Sequence, residues 1–231
     1  MVEATRIFRH ENKYFINNTD AMILSARLPL LMQRDENADE NGNYFIRSLY
    51  FDDVYNASLQ EKEDGTDPRI KIRIRAYNLD ERVIKLECKQ KQNQYIYKQS
   101  LNITRKQCDA LIAGDSDWLL HIDNNFARQM YMLFRFKQMR PRVIVDYVRE
   151  AYVFPVEEVR VTIDKELHTG LYQTGLFDAE TPTVPAMEPS QSVLEVKFNK
   201  YLVPGIRSLI QIGRVQRSAV SKYCLCRQYE Q

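Results

Sequence analysis

Between residues 69 and 75 the chain reads Arg-Ile-Lys-Ile-Arg-Ile-Arg, a strict alternation of cation and isoleucine. Residues two apart in a strand share a face, so Lys71, Arg73 and Arg75 point one way and Ile70, Ile72 and Ile74 the other. The same rule sets Lys85, Glu87 and Lys89 against Ile84, Leu86 and Cys88. It also sets Arg160, Thr162 and Asp164 against Val159, Val161 and Ile163, and Glu195 and Lys197 against Leu194, Val196 and Phe198. Guanidinium and ammonium groups in such rows grip a string of anionic oxygens, and the few carboxylates among them suit Mg²⁺ or Mn²⁺, which prefer oxygen ligands. Positioning and charge neutralisation are what phosphoryl transfer mainly requires.

Other chemistries lack their residues. The seven glycines form no phosphate loop, dinucleotide fingerprint or nucleophile elbow. His10, His121 and His168 are scattered without metal-ligand spacing, and Cys88, Cys108, Cys224 and Cys226 give neither a disulfide framework nor a complete zinc site. With 33 Lys+Arg against 31 Asp+Glu in 231 residues, bulk charge names no partner. The 14 tyrosines do not interleave with the cations as a stacking platform would, so no nucleic-acid partner is expected. No apolar run is long enough to span a bilayer and the N-terminal residues lack a signal-peptide core, which makes the cytoplasm the expected address.

The elements that must position these residues follow from patterning. A strand is expected over residues 6 to 16, then a helix from Ala21 to about Met32, capped near Asn18-Thr19-Asp20 and ended or kinked by Pro29. Strands follow at 44 to 53, 69 to 75, 83 to 89 and 95 to 103, the second and third as an antiparallel pair turning near Asn78 to Glu81. Thr104-Arg-Lys-Gln107 is a capping box opening a short helix to Ala113, and a longer helix is expected from Trp118 to Met139. Strands resume at 142 to 154, 159 to 164 and 192 to 198. A Pro-rich loop, 177 to 192, precedes the last of them, and one or two helices close the chain. With no repeat and no clean linker, 1–231 reads as a single strand-rich α+β domain.

If the four strands are neighbours, their charged faces merge into one surface. Like charges directly opposite each other weaken a sheet, so on an open sheet this surface is unfavourable. A sheet curled with that face inward, its apolar outside covered by helices, gives a barrel with a polar lumen. The ligand that offsets the desolvation there is a polyanion such as a triphosphate or polyphosphate.

These residues resemble the triphosphate tunnel metalloenzymes (CYTH superfamily), and within them the VTC-type polyphosphate polymerase domain. The resemblance rests on ordered pieces over almost the whole chain: RHENKYF at 9 to 15, SLYFDD at 48 to 53, RIKIRIR at 69 to 75, IKLECK at 84 to 89, DYVREAY at 146 to 152, VRVTID at 159 to 164, VLEVK at 193 to 197 and SKY at 221 to 223. It implies an eight-stranded antiparallel β tunnel, a closed barrel with a charged lumen and flanking helices. Carried over, Arg73, Arg75, Lys85, Arg149 and Arg160 neutralise the transferring phosphoryl group. Lys13, Lys89, Lys98 and Lys222 bind phosphates, and Glu195 holds Mn²⁺ or Mg²⁺. Simple alternation places Lys98 with Ile96, which ranks it lower, while Arg9, Glu11, Glu87, Lys89 and Asp164 share the charged face as supporting partners.

The chain departs from the hydrolase pattern at Arg9-His-Glu11-Asn-Lys13, where an acidic pair is reduced, and at Arg160, where triphosphatases tend to carry a carboxylate. Both changes trade acid for base, as the VTC-type branch does. The resemblance therefore implies transfer of the γ-phosphate of ATP onto a growing polyphosphate chain. The alternatives are an inorganic or nucleoside triphosphatase of the same fold and a non-catalytic polyphosphate-binding module.

Overall fold

The computed structural model describes residues 10–92, 95–213 and 216–230. They divide into two compact units. The first takes the described residues up to Phe45, with Tyr147–Leu167 and Pro185–Ser221; the second takes Ile46–Asp146, His168–Val184 and the described residues from Lys222.

In the first unit β1 (His10–Asn17) leads into α1 (Asn18–Arg27), and the Asn17 side chain accepts the first-turn N–H of Asp20 at 2.8 Å. The cap thus falls one residue before the stretch expected from sequence. Pro29 sits in a single 3-10 turn, Leu28–Leu30, that ends the helix, because a proline inside it removes an N–H and crowds the preceding turn. A two-residue strand, β2 (Gln33–Arg34), follows. Two strands, β7 (Arg140–Phe154) and β8 (Val159–Leu171), run through both units, and β10 (Gln191–Phe198) returns to the first. The order here is β1, β10, β8, β7, with β2 on β7. Antiparallel registry places Lys13, Glu195 and Thr162 side by side, and likewise Glu11, Lys197 and Arg160. The opposite face buries Val159, Val161, Ile163, Leu194 and Val196 with Leu24 and Leu28 of the first helical segment and Ile206 of α5 (Pro204–Leu209).

The second unit contains most of β3 (Asn43–Asp52), then α2 (Ala57–Glu63), β4 (Arg69–Tyr77), β5 (Asp80–Gln92), β6 (Tyr95–Ile103), α3 (Arg105–Ala113) and α4 (Asn125–Phe136). The short β9 (Val184–Pro185) pairs with β8, and α6 (Lys222–Leu225) lies near the end of the chain. The order is β8, β7, β3, β4, β5, β6. β4 and β5 form the expected hairpin through a two-residue turn, with Asn78 and Leu79 both at positive φ, 51° and 55°. That matches the right-handed twist of the strands at the cost of a strained leucine. Ile72, Ile74, Ile84, Leu86 and Cys88 pack with Leu111 of α3 and with Phe126, Met130 and Phe134 of α4.

Two expectations are corrected. The long helix 118 to 139 is two elements, a 3-10 turn at Asp117–His121 and α4, because Ile122 is extended and the Asn124 side chain accepts the N–H of Phe126. The closed eight-stranded barrel is replaced by an open antiparallel order that ends at β1 and β6, with no ladder joining them among the described residues. The outer side of β1 is engaged by the stretch near Arg217: the Ser218 N–H donates to the Lys13 carbonyl at 2.8 Å, and Tyr14 bridges Arg217. The architecture is α+β, an antiparallel sheet flanked by helices.

Candidate functional site

The charged faces read from sequence are present, as one cluster in each unit. In the second unit β4, β5 and β6 bring Lys71, Arg73, Arg75, Lys85, Lys89 and Lys98 around Glu87, which is 1% exposed. Arg73 Nε and Nη2 each reach Glu87 Oε2 at 2.7 Å, Arg75 Nη1 stands 3.8 Å from it, and the Lys98 ammonium pairs with Oε1. The registry puts Lys71 opposite Lys89 and Lys89 opposite Lys98. Lys98 therefore belongs to the Lys85, Glu87 and Lys89 face, on which simple alternation had ranked it lower. Lysines directly across from each other repel, and an anion lying along the row relieves that repulsion.

Neighbouring side chains fix the cations. Arg73 Nη1 donates to Tyr50 Oη at 2.7 Å, Arg75 Nε to Ser48 Oγ at 3.3 Å, and the Tyr77 ring lies 5.8 Å from Lys85 Nζ. The Tyr50 ring packs on that of Tyr223 at 5.1 Å, and Lys71 Nζ lies 5.1 Å from the Tyr223 ring. Tyr223, next to Lys222 in α6, donates to Asp52 Oδ2 at 2.6 Å and accepts from the buried Arg227 Nη1 at 2.6 Å. Burial raises the Glu87 carboxyl, but Arg73, Arg75 and Lys98 together carry it far below the usual carboxylate range. Burial and the nearby guanidinium charges push Lys98 down to about 8, against the upward pull of Glu87.

In the first unit Arg149 holds Asp164 through both carboxylate oxygens, Nε to Oδ1 at 2.6 Å and Nη2 to Oδ2 at 2.8 Å, with Glu195 Oε2 3.8 Å from Nη2. Glu195 Oε1 also takes Lys197 Nζ at 2.9 Å. Lys13 pairs with Glu11 at 3.0 Å and donates to the Val220 carbonyl at 3.4 Å. Arg160 Nη2 lies 2.7 Å from Asp35 Oδ2 and donates to Tyr44 Oη at 2.9 Å. Burial lowers and Asp164, Tyr147 and Glu195 raise the Arg149 guanidinium, which ends well above its ordinary value. Burial raises Asp35, yet hydrogen bonds from Asn37 and the Arg160 charge hold it below the usual range.

The expected site residues thus fall into two sets: Lys13, Arg149, Arg160 and Glu195 in the first unit, and Arg73, Arg75, Lys85, Lys89, Lys98 and Lys222 in the second. Arg9 lies outside the described residues. Asp35, Tyr44, Ser48 and Tyr50 had not been singled out. Alternation in SLYFDD supplies Ser48 and Tyr50 as face-mates, whereas nothing local marks Asp35, one acid in an acidic loop.

A divalent ion fits these residues under one condition. No group of three or more His, Cys, Asp or Glu suited to a metal exists among the described residues, so a closed protein cage is excluded there. Glu195, 5% exposed, offers a carboxylate beside Thr162, whose buried Oγ1 has no hydrogen-bond partner among the described residues. One carboxylate completed by substrate phosphates is a common way of holding Mg²⁺.

The family model for the VTC domain matches residues 8–230. The chain belongs to the VTC domain family. No curated protein matches the sequence. Among solved structures, the VTC domain is similar to HpAC1 from Hippeastrum, a candidate adenylyl cyclase whose description gives a dominant triphosphatase activity, at 14% identity and a TM-score of 0.57 over 96% of each chain. It is also similar to a candidate adenylate cyclase from Bacillus halodurans, at 12% identity and a TM-score of 0.50 over 82% of this chain and 81% of that one. Identities this low carry the fold alone. No helix among the described residues is long and apolar enough to cross a membrane.

Proposed function

We propose that this VTC domain is a divalent-metal-dependent phosphotransferase that moves the γ-phosphate of ATP onto the end of a polyphosphate chain. The observation that carries the reading is the gathering of six cations around Glu87, an arrangement that favours a long anion over a small one. Membership over residues 8–230 supports treating 1–231 as one domain.

The acceptor is the terminal phosphate oxygen of the chain, already anionic, so no protein base is needed. Its bond to the γ-phosphorus forms as the bond to the β,γ-bridging oxygen breaks, and ADP leaves. Arg73, Arg75, Lys85, Arg149 and Arg160 neutralise charge on the transferring group and on ADP. Lys13, Lys89, Lys98 and Lys222 hold the phosphates of donor and product. Mn²⁺ or Mg²⁺ on Glu195 would withdraw charge from phosphate oxygens. No nucleic-acid partner enters this scheme.

The fold shared with HpAC1, a protein whose description gives triphosphatase activity, is compatible with a second reading in which water is the acceptor and the domain is a triphosphatase. Incubation with ATP and Mn²⁺, with products resolved by length for wild type, Glu195→Ala and Arg73→Ala, separates the two. Long chains lost in both variants support the transferase. Orthophosphate without chains replaces it with the hydrolase. An inert wild type that still retains polyphosphate leaves a binding module.

A further inference from the structure

Thr162 stands on the charged face of β8, its Cα paired with that of Glu195 on β10 and its neighbours on that face being Arg160 and Asp164. It is 1% exposed, and its hydroxyl has no hydrogen-bond partner among the described residues, although every charged neighbour on that face is engaged. Leaving a hydroxyl buried and unpaired is unfavourable, and valine would fill the same volume without that penalty. A threonine at such a position is explained by a partner that arrives from outside the chain. The adjacent groups define that partner. Arg149 and Lys197 already meet the Glu195 carboxylate and Arg149 spans both oxygens of Asp164, so the remaining local need is for oxygen atoms that accept a hydrogen bond.

We propose that Thr162 is a metal-positioning residue: its hydroxyl hydrogen-bonds an oxygen of the shell surrounding the divalent ion held on Glu195. The proposal rests on the metal assignment made above and adds a protein group to it. A hard cation carried by one carboxylate and the substrate is poorly fixed by the protein, and a second, neutral group defines which side of the carboxylate the ion occupies.

The test is uptake of Mn²⁺ in the presence of a non-hydrolysable ATP analogue, read from loss of the free-ion electron paramagnetic resonance signal, for wild type, Thr162→Val and Thr162→Ser. The expected result is about a tenfold weaker Mn²⁺ affinity in Thr162→Val, the scale of losing one partner of a metal's outer shell, and affinity close to wild type in Thr162→Ser. Melting without metal or nucleotide supplies the control. Thr162→Val should melt at or above the wild-type temperature, because it removes an unpaired polar group. Equal Mn²⁺ affinity in wild type and Thr162→Val overturns the proposal and leaves the Glu195 assignment standing. Equal losses in the valine and serine variants, or a lower melting temperature for Thr162→Val, also overturn it, since the effect is then one of packing or of an internal partner. A wild type that takes up no Mn²⁺ removes both this proposal and the metal assignment beneath it.

Discussion

The two charged clusters use similar residues to opposite ends. In the first unit carboxylates and cations are matched: Arg149 with Asp164, Arg160 with Asp35, Lys197 with Glu195, Lys13 with Glu11. In the second, Glu87 stands among Lys71, Arg73, Arg75, Lys85, Lys89 and Lys98. Another carboxylate of that unit, Asp52, is committed to the backbone N–H groups of Asp53, Ser58 and Leu59 and to the Tyr223 hydroxyl. A matched set is stable by itself and holds its members in fixed positions. In the cation-rich set lysines stand directly opposite one another, and that repulsion becomes selectivity for a ligand of many negative charges. The acidic partners therefore mark where geometry is kept, and their scarcity marks where anion is held.

The sharpest way to break this contrast is Arg149→Ala. It leaves Asp164 buried without its bidentate partner, and unfolding in urea should show a loss of about 3–5 kcal/mol. Glu87→Gln should cost less, roughly 2 kcal/mol at neutral pH, because Arg73 and Lys98 reach solvent. Since Glu87 titrates below its ordinary 4.5 in the folded state, its contribution is complete above that pH and is lost as pH falls toward the folded value. The gap between wild type and Glu87→Gln should accordingly narrow on acidification below 4.5 in urea titrations across pH. Arg73→Ala leaves Glu87 with Arg75 and Lys98, so its stability should change little, while calorimetry should show about tenfold weaker tripolyphosphate binding. The smallest effect belongs to Lys98, which titrates near 8: wild-type affinity for tripolyphosphate should decline as pH rises through that value, and Lys98→Gln should flatten the decline. An equal stability loss in Arg149→Ala and Arg73→Ala would erase the distinction between the units.

Strand faces were legible in the sequence because the period of two is a local property. Lys71, Arg73 and Arg75 lie opposite Ile70, Ile72 and Ile74 as the alternation requires, and the capping box at Thr104 and Gln107 is present. Pairing between distant segments is not local. Asp35 meets Arg160 across about 125 residues of chain, and Lys98 joins its face through registry with Lys89, which no single-strand pattern encodes. Helix α2 had no apolar period to announce it: Ala-Ser-Leu-Gln-Glu-Lys-Glu follows an Asn56 at positive φ, and Asp52, several residues upstream, accepts the N–H groups of Ser58 and Leu59. The break before α4 was hidden because the apolar periodicity continues across Ile122 while the capping by Asn124 interrupts it. The expectation of a closed sheet rests on charge repulsion and on the family resemblance, and the contacts of Arg217 and Ser218 with β1 are invisible to both.

The registry of β1 with β10 has a kinetic consequence. Lys13 and Glu195 are about 180 residues apart in the chain, so their pairing must overcome the entropy of closing a very long loop. The hairpin of β4 and β5 closes through two residues and needs no distant partner. The cation-bearing hairpin should therefore form while the strand carrying Glu195 is still unpaired, and pulse-labelled hydrogen exchange during refolding should find β4 and β5 amides protected before those of β1 and β10. A nascent chain would then bear the cations of β4 and β5 in their paired arrangement while Glu195 still lacks its strand neighbours, and cellular polyanions would meet the hairpin first.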